Sequence, residues 1–492
     1  MQLSDFKDKK ITVMGIGLHG GGVGVIKFLA SQGAKVLATD LRSADELKES
    51  LEKLKDLPAS PNRGEPIEFV LSKHRIEDFT ETDMIIKNPG VPEDSEFLKA
   101  ARDKKISVES DIGIFFELCP APIIGITGTK GKSTTAALLA EILKKKFPQV
   151  ILAGNIRSSV LEKLTEITKD SIVILELSSW QLADAKDHKI SPAVAIATNI
   201  LADHLNRYKS PEDYVADKKL IYKFQTSKDY LFLNYADPIL KDFAAETKSK
   251  VYFFSAAGDE LLASELPKLK QEPRLGAYAK GDKIFFGANQ EKICTLKDIK
   301  LFGLHNLSNI LAAVSMAKLY DIANQKIKLA LQKFEGLEGR IQLVAEINGV
   351  KYINDTTATD PDAAIAAINT IAQQNQTKDD TAQKKHIILI SGGADKNLDF
   401  TQFGKIVNEK CKLVMLLPGT ATLKIKKALN PEFPVNRVPD IAKAVALASK
   451  IAKAGDTVLL SPGCASFGLF RHEFERGEAF NAAVATLKKL KN

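Results

Sequence analysis

The sequence is poor in cysteine and has no long apolar run, and both absences narrow what the chain can be. Its 492 residues include four cysteines, Cys119, Cys294, Cys411 and Cys464, far apart and without a C-x-x-C pair. That spacing argues against a disulfide framework or a structural zinc site and suits a reducing cytoplasm. No apolar run reaches the ~18 residues of a membrane-spanning helix. Residues 1–10 are polar and lead into a strand pattern, unlike a signal peptide. Neither sign of charge dominates: 69 basic and 61 acidic side chains leave a formal +8. No basic stretch is interleaved with aromatics, so nucleic-acid binding is not indicated. A mildly basic cleft would suit small anions instead. No repeat of solenoid period is present.

What is present is an ordinary globular composition, 45% hydrophobic and 26% charged. The length allows about three domains of roughly 150 residues. Short apolar runs alternate with helical patterns from end to end, which predicts an α/β fold with largely parallel sheets. Strands are expected first at residues 11–14, 35–39 and 84–86, with a helical pattern through Val23, Ile26 and Leu29. A middle set is expected at 123–127, 150–153, 172–177, 193–198, 230–233 and 251–254. A hairpin is then expected from 344–347 and 350–353 around Asn348-Gly349, a strong signal for a type I′ turn. Strands at 387–390, 413–417 and 458–460 follow. Segments 56–66 and 372–385 read as exposed connections, the second also as a frayed helix end, and a boundary is expected near 113–120. The expected division is 1–112, 113–336 and 337–492.

The most informative segment runs from Gly125 to Thr135, G-I-T-G-T-K-G-K-S-T-T. A strand, a glycine-rich turn and a helix form a phosphate cradle, in which backbone N–H groups and the helix dipole favour an anion. Gly128, Thr129, Lys130, Gly131 and Thr134 would surround the phosphates. Lys132 can reach the β/γ-phosphates, and the Ser133 hydroxyl can ligate Mg²⁺. The common G-x-x-x-x-G-K-[ST] pattern needs glycine where Ile126 stands. The shorter T-G-T-K-G-K-S loop therefore points away from GTPases, kinases and motors.

Other motifs leave alternatives open. Gly15-Ile-Gly17-Leu-His-Gly20, with Asp40 twenty residues later, has the spacing of a dinucleotide fingerprint. It admits a nicotinamide or flavin, another nucleotide, or a structural turn. Glu176 stands at the end of a strand beside the phosphate loop, as a Mg²⁺ ligand or a turn-capping acid. The next strand end brings Asp203 and His204 to the same rim. His204 is a metal ligand, a phosphate-orienting group or a structural histidine. In the helix capped by Ser210, Val215, Lys218 and Ile221 share one face. Lys218 either snorkels or has a chemical task. Asn306 and Asn309 share a helical face and would bracket a nucleotide or cap the helix. Farther on, the loops 354–359, 391–396 and 461–467 are rich in small residues and follow strands, where open α/β sheets bind ligands. Cys464 reads as a small buried residue.

Taken in order, T-G-T-K-G-K-S-T, L-E-L-S-S-W-Q-L, N-I-L-A-D-H-L-N-R-Y, H-N-L-S-N, N-D-T-T-A-T and S-P-G-C-A-S-F resemble the Mur ligase family. The resemblance covers essentially the whole chain. The short first-domain G-x-G-x-x-G layout and the run 461–480 are most similar to the D-glutamate-adding members. It implies an N-terminal Rossmann-like domain for a UDP substrate, a central P-loop ATPase domain and a C-terminal Rossmann-like domain. The implied reaction joins D-glutamate to UDP-N-acetylmuramoyl-L-alanine at the expense of ATP, through an acyl phosphate. The implied cofactors are ATP and two Mg²⁺ ions, one held by Ser133 and Glu176 and the other by His204 and a carbamylated Lys218. Lys219 is the competing choice for the carbamate. Asn306, Asn309, Arg340 and Asp355 would hold ATP. Leu18, His19, Asp40, Arg42, Gly90, Gly154 and Asn155 would hold the UDP substrate, and Thr359, Lys396, Ser466 and Phe474 the D-glutamate. Lys132, His204 and Lys218 would be the catalytic set. Thr357 stands where many members have lysine, and His19 and Leu41 replace small hydroxyl residues. The expected partners are these small molecules, with a monomeric cytoplasmic protein. The alternatives are another acceptor (L-alanine, a diamino acid, or glutamate on folate), an NAD(P)-dependent oxidoreductase, and an ATP-hydrolysing switch.

Overall fold

The computed structural model describes residues 1–18, 20–55, 67–154, 159–201, 208, 210–258, 272–301, 304–375, 385–396 and 398–491. The alternation of apolar runs and helical patterns resolves into three sheets. The first has five parallel strands in the order Glu68–Leu71, Lys35–Asp40, Lys10–Met14, Met84–Lys87, Ser107–Glu109. Ile11, Val13, Val36 and Ala38 pack against Val23, Ile26 and Leu29 of helix Gly21–Ser31. Strand order reverses between Lys10–Met14 and Met84–Lys87. The loops that follow these two strands, starting at Gly15 and Asn88, therefore flank a switch-point crevice.

The central sheet has nine strands. Seven run parallel, in the order Arg274–Lys280, Lys250–Ser255, Tyr230–Asn234, Val194–Ala197, Ile123–Thr127, Ile172–Glu176, Val150–Gly154. Its inner strands are continuous apolar runs because helices cover both faces. Lys283–Phe286 and Glu291–Thr295 extend the edge in antiparallel fashion. The third sheet runs Gln342–Ile347, Val350–Asn354, Thr457–Leu460, Ile387–Ser391, Cys411–Leu416, Val435–Arg437. Only its first strand is antiparallel.

The chain forms two compact units, Met1–Ile299 with His305–Lys333, and Lys300–Leu304 with Phe334–Asn492. The first carries the five- and nine-stranded sheets, the second the six-stranded sheet. No described helix is long and apolar enough to cross a membrane.

The expected α/β class is the one observed, and the expected strands agree to within two residues. The hairpin turn is left-handed at both central positions, φ 51° at Asn348 and 73° at Gly349, as a type I′ turn requires. Residues 113–120, where a boundary is expected, lie mostly in helix Asp111–Leu118, capped by Ser110, with Ile112, Ile114 and Phe115 in the core. The polar stretch from 372 begins inside helix Pro361–Asn375. Segments 56–66 and 376–384 lie outside the described residues.

Candidate active site

Strand Ile123–Thr127 lies between Val194–Ala197 and Ile172–Glu176, and its end opens into the glycine loop. Two glycines there are sterically obligatory. Gly128 has φ +139°, and a Cβ on it would lie 1.9 Å from Thr198 Oγ1; Gly131 has φ +87°, and its Cβ would lie 2.1 Å from Asn309 Oδ1. The neighbouring strand end clamps the loop. Thr198 Oγ1 donates to the Lys130 carbonyl (2.6 Å), and Asn199 both donates to that carbonyl (3.0 Å) and accepts from the Lys130 N–H (2.9 Å). The Thr129 N–H donates to the Asn199 carbonyl (2.8 Å), and its hydroxyl lies 2.9 Å from the Tyr214 hydroxyl. Thr129 is thus engaged within the protein, while the Lys130 side chain is exposed. Lys132 Nζ donates to the carbonyls of Gly128 (2.9 Å) and Thr129 (3.1 Å). Helix Lys132–Leu143 makes its first backbone bond from Thr135 to Gly131 (2.9 Å), so the N–H groups of Lys132, Ser133 and Thr134 precede its hydrogen-bonded ladder. Such a helix start attracts anions.

Two further walls meet this loop. Helix Pro211–Lys223 begins with Ser210 accepting from the Asp213 N–H (3.2 Å) and Pro211 at its first position. It carries Lys218 inward. The Lys218 side chain is buried, its Nζ donates to the Gly128 carbonyl (3.0 Å), and the Nζ lies 4.8 Å from the Tyr214 ring centre. Lys218 does not snorkel. Its neighbour Lys219 turns outward to Glu246 (2.6 Å). On helix Leu304–Leu319, Asn309 Nδ2 donates to Asn306 Oδ1 (3.3 Å), and both amides are buried. Glu176 is buried at its strand end, next to Gly154, whose Cβ would lie 2.1 Å from the Glu176 carbonyl. His204, Asp203 and Asn155 lie outside the described residues. Among the described residues, no three His, Cys, Asp or Glu side chains form a metal-holding group.

At the first sheet's crevice, Asp40 is buried and spends both oxygens on the chain. Oδ2 accepts from the Ile16 and Gly17 N–H groups (3.0 Å each), and Oδ1 from the Arg42 N–H (2.9 Å) and Nη1 (3.3 Å). Asp40 therefore latches the glycine loop. Leu18 and Leu41 stand exposed at the crevice, and Gly90 donates its N–H to Asn88 Oδ1 (3.1 Å). His19 lies outside the described residues.

In the second unit, Lys396 Nζ donates to Thr359 Oγ1 (3.2 Å), bringing two of the expected D-glutamate residues together. An antiparallel bridge between Ala394 and Ala465 joins their loop to the one bearing Ser466, which is buried. Phe474 is half-buried in the first turn of helix Glu473–Lys491. Asp355 accepts from Ser461 Oγ (2.7 Å) and the Ile341 N–H (3.1 Å), yet burial pushes its carboxyl up to about 7. Arg340, one residue before that N–H, is exposed. Cys464 is buried, and burial pushes its thiol up to about 12, in keeping with a small buried residue.

Sequence reasoning missed the residues that hold the site in shape: Asn199, Tyr214, Asn88 and Arg476. Arg476 is fully buried and donates to Thr356 Oγ1 (3.1 Å), the Thr356 carbonyl (2.7 Å) and the Cys464 carbonyl (3.1 Å). An arginine amid the apolar pattern of a helix was the available signal.

Three family descriptions match consecutive parts of the chain: "Mur ligase MurD-like, N-terminal domain" over residues 9–110, "Mur ligase middle domain" over 126–317, and "Mur ligase, glutamate ligase domain" over 339–464. A UDP-N-acetylmuramoylalanine–D-glutamate ligase of Roseiflexus sp. (strain RS-1) is 42% identical over 97% of this chain and 98% of its own length. The chain belongs to the Mur ligase family. Another relative of this Mur ligase, a protein of the same name from Thermoanaerobacter sp. (strain X514), is 38% identical over 99% of this chain and all of its own length. Among solved structures, UDP-N-acetylmuramate-alanine ligase MurC of Thermotoga maritima shares the fold with a TM-score of 0.59 at 17% identity, covering 98% of this chain and 100% of that one. MurF ligase of Thermotoga maritima in complex with ADP gives 0.54 at 15% identity, covering 92% and 96%.

Proposed function

We propose that this Mur ligase adds D-glutamate to UDP-N-acetylmuramoyl-L-alanine with ATP, in peptidoglycan precursor synthesis. The observation that carries the choice of acceptor is likeness over the whole length to relatives named for that reaction. A carboxylate is a poor electrophile, so the L-alanyl carboxylate first attacks the ATP γ-phosphate and becomes an acyl phosphate, releasing ADP. The D-glutamate amine then attacks the acyl carbon, and phosphate leaves. The chain contributes position and charge. In this reading the N–H groups opening helix Lys132–Leu143 and the Lys132 ammonium hold the phosphates, Gly128–Thr134 surround them, and Asn306, Asn309, Arg340 and Asp355 hold the rest of ATP. Leu18, His19, Asp40, Arg42, Gly90, Gly154 and Asn155 hold the UDP substrate. Asp40 does so by shaping the loop Ile16–Gly17, since its oxygens are already bonded. That internal use also weighs against the NAD(P) reading. Thr359, Lys396, Ser466 and Phe474 receive D-glutamate, with Lys396 paired to a substrate carboxylate.

Mg²⁺ takes hard oxygen donors, and the chain offers them: the Ser133 hydroxyl and the buried Glu176 carboxylate. The ion supplies neutralisation of phosphate charge when bound. A second ion would use His204 and Lys218 as a carbamate. The burial of Lys218 against the Gly128 carbonyl supports an assigned task for that lysine over Lys219. The domain division 1–112, 113–336 and 337–492, a monomeric state and a cytoplasmic location complete the proposal. The test is phosphate release from ATP and UDP-N-acetylmuramoyl-L-alanine on adding D-Glu, L-Glu, L-Ala or L-Lys in turn. Stimulation by D-Glu alone is expected; stimulation by L-Glu and not D-Glu would overturn the acceptor while leaving the family intact.

A further inference from the structure

The first unit contains a buried ion pair that none of the chemistry above uses. Lys87, the last residue of strand Met84–Lys87, places Nζ 2.6 Å from Asp184 Oδ1 and 3.0 Å from Glu93 Oε1. The Lys87 and Asp184 side chains are 4% and 5% exposed, whereas Glu93 is 49% exposed. The pair spans ninety-seven residues of sequence and ties the end of a first-sheet strand to the end of helix Ser179–Asp184, which follows central strand Ile172–Glu176. On one side, Lys87 precedes Asn88, whose side chain lies under the first glycine loop: a Cβ on Gly15 would be 3.0 Å from Asn88 Cβ. Asn88 also accepts from Gly90. On the other side, Asp184 ends helix Ser179–Asp184, which starts three residues after Glu176 and packs against helix Pro211–Lys223, the carrier of Lys218. The seam is tight elsewhere too. A Cβ on Gly24 of the first-sheet helix would lie 2.7 Å from Glu162 Oε2 and 2.8 Å from Ser159 Cβ.

Burying two charges costs desolvation that their attraction barely repays, so such a pair is a weak stabiliser compared with a packed apolar pair. What it does supply is a fixed direction and distance. We propose that Lys87 and Asp184 are a positioning pair that sets the separation between the crevice of the first sheet and the phosphate loop of the central sheet. The inference rests on the UDP-substrate reading above. In that reading one molecule of fixed length spans both places, its uridine diphosphate end at Gly15–Gly20 and Gly90 and its carboxylate end at the loop Gly128–Ser133. A fragment that occupies only the first crevice has no need of the correct separation; the whole substrate does.

The test compares UDP with UDP-N-acetylmuramoyl-L-alanine by titration calorimetry, in the full-length protein and in the double variant Lys87→Met with Asp184→Leu. Removing both charges together avoids the uncompensated buried carboxylate that Lys87→Met alone would leave at Asp184. The double variant is expected to bind UDP and ATP within about twofold of the parent and the whole substrate about tenfold more weakly, less than the roughly hundredfold that a misplacement of about 1 Å can cost. Asp184→Asn keeps the shape and one acceptor for Lys87, whose charge Glu93 still faces at 3.0 Å, and it makes the same comparison should the double variant not fold. Equal loss for UDP and whole substrate, or no loss for either, in a folded variant would overturn the inference. A parent protein that binds neither ligand would overturn the substrate reading, and the inference with it.

Discussion

Lys218 and Lys219 are adjacent in sequence and opposite in surroundings, one sealed against the Gly128 carbonyl and the other bonded to Glu246 near the surface. The i, i+3, i+6 spacing of Val215, Lys218 and Ile221 made the shared helix face legible, but not whether the Lys218 ammonium turns inward or snorkels out to solvent. The partners were not legible. Nothing in the sequence says that the Tyr214 hydroxyl meets Thr129 or that Asp40 is consumed by its own loop. Those contacts arise where strand ends and helices from distant segments meet. Lys218→Ala is expected to lower kcat by about a hundredfold or more, the usual order for one preorganised charge at a transferring phosphoryl group. Lys219→Ala should leave it within about twofold, as for an exposed ion pair. Steady-state phosphate release on both variants decides, and equal effects would dissolve the distinction. Gly128 also receives bonds from both Lys132 and Lys218. Any chemistry that turned Lys218 into an anion would have to surrender one of them.

Among the elements, the ones with two buried faces were easiest to foresee. Ile172–Glu176 and Ile387–Ser391 are buried throughout and apolar up to their last residue, and nothing else in an α/β chain looks like them. Ser107–Glu109 and Val435–Arg437 went unseen because three half-exposed residues carry no period. Glu291–Thr295 was missed because an edge strand of mixed polarity resembles a loop. Helix Asp111–Leu118 and strand Ser107–Glu109 are tied by His188, whose ring lies 2.6 Å from Glu117 and 2.9 Å from Glu109. Gly113 makes room for that ring, since a Cβ would lie 2.3 Å from Nε2. Hydrogen bonding to Glu109, with Glu117 adding to it, raises the imidazole from 6.5 to about 9 against the effect of burial. The folded state thus holds the proton more tightly than the unfolded chain. Its contribution to stability is complete below about pH 6.5 and fades as pH rises through about 9. His188→Gln should therefore cost about 1.5–3 kcal/mol at pH 6, the worth of charge-assisted hydrogen bonds, and much less at pH 10. Urea denaturation at the two pH values checks this; a cost independent of pH would mean the charge is irrelevant.

At the scale of the molecule, three sheets offer their loops at the carboxyl ends of parallel strands, and the glycine loop, Glu176, Asp40, Gly90, Gly154, Asp355, Thr359, Lys396 and Ser466 all fall at such strand ends or in the loops that follow them. This much was legible because the rule depends only on strand direction and chain order. The division into two compact units was not, because the packing of the first sheet's helices on the central segment is a matter of side-chain fit. The four cysteines report on the whole fold at once. Cys294, Cys411 and Cys464 are buried and Cys119 is half-buried, and burial raises all four thiols. A colorimetric thiol reagent at pH 8 should find little beyond slow reaction at Cys119 in the native protein, and all four cysteines after denaturation. Fast native reaction at two or more would contradict the packing. Finally, the amide that presses on Gly131 comes from Asn309, and the chain leaves the first unit at Ile299 before returning to it at His305. On the ribosome, the glycine loop is therefore made long before the wall that completes it. A nascent chain must carry an unfinished nucleotide cradle for well over a hundred residues of synthesis, and any truncation that stops at Ile299 would leave that cradle open for good.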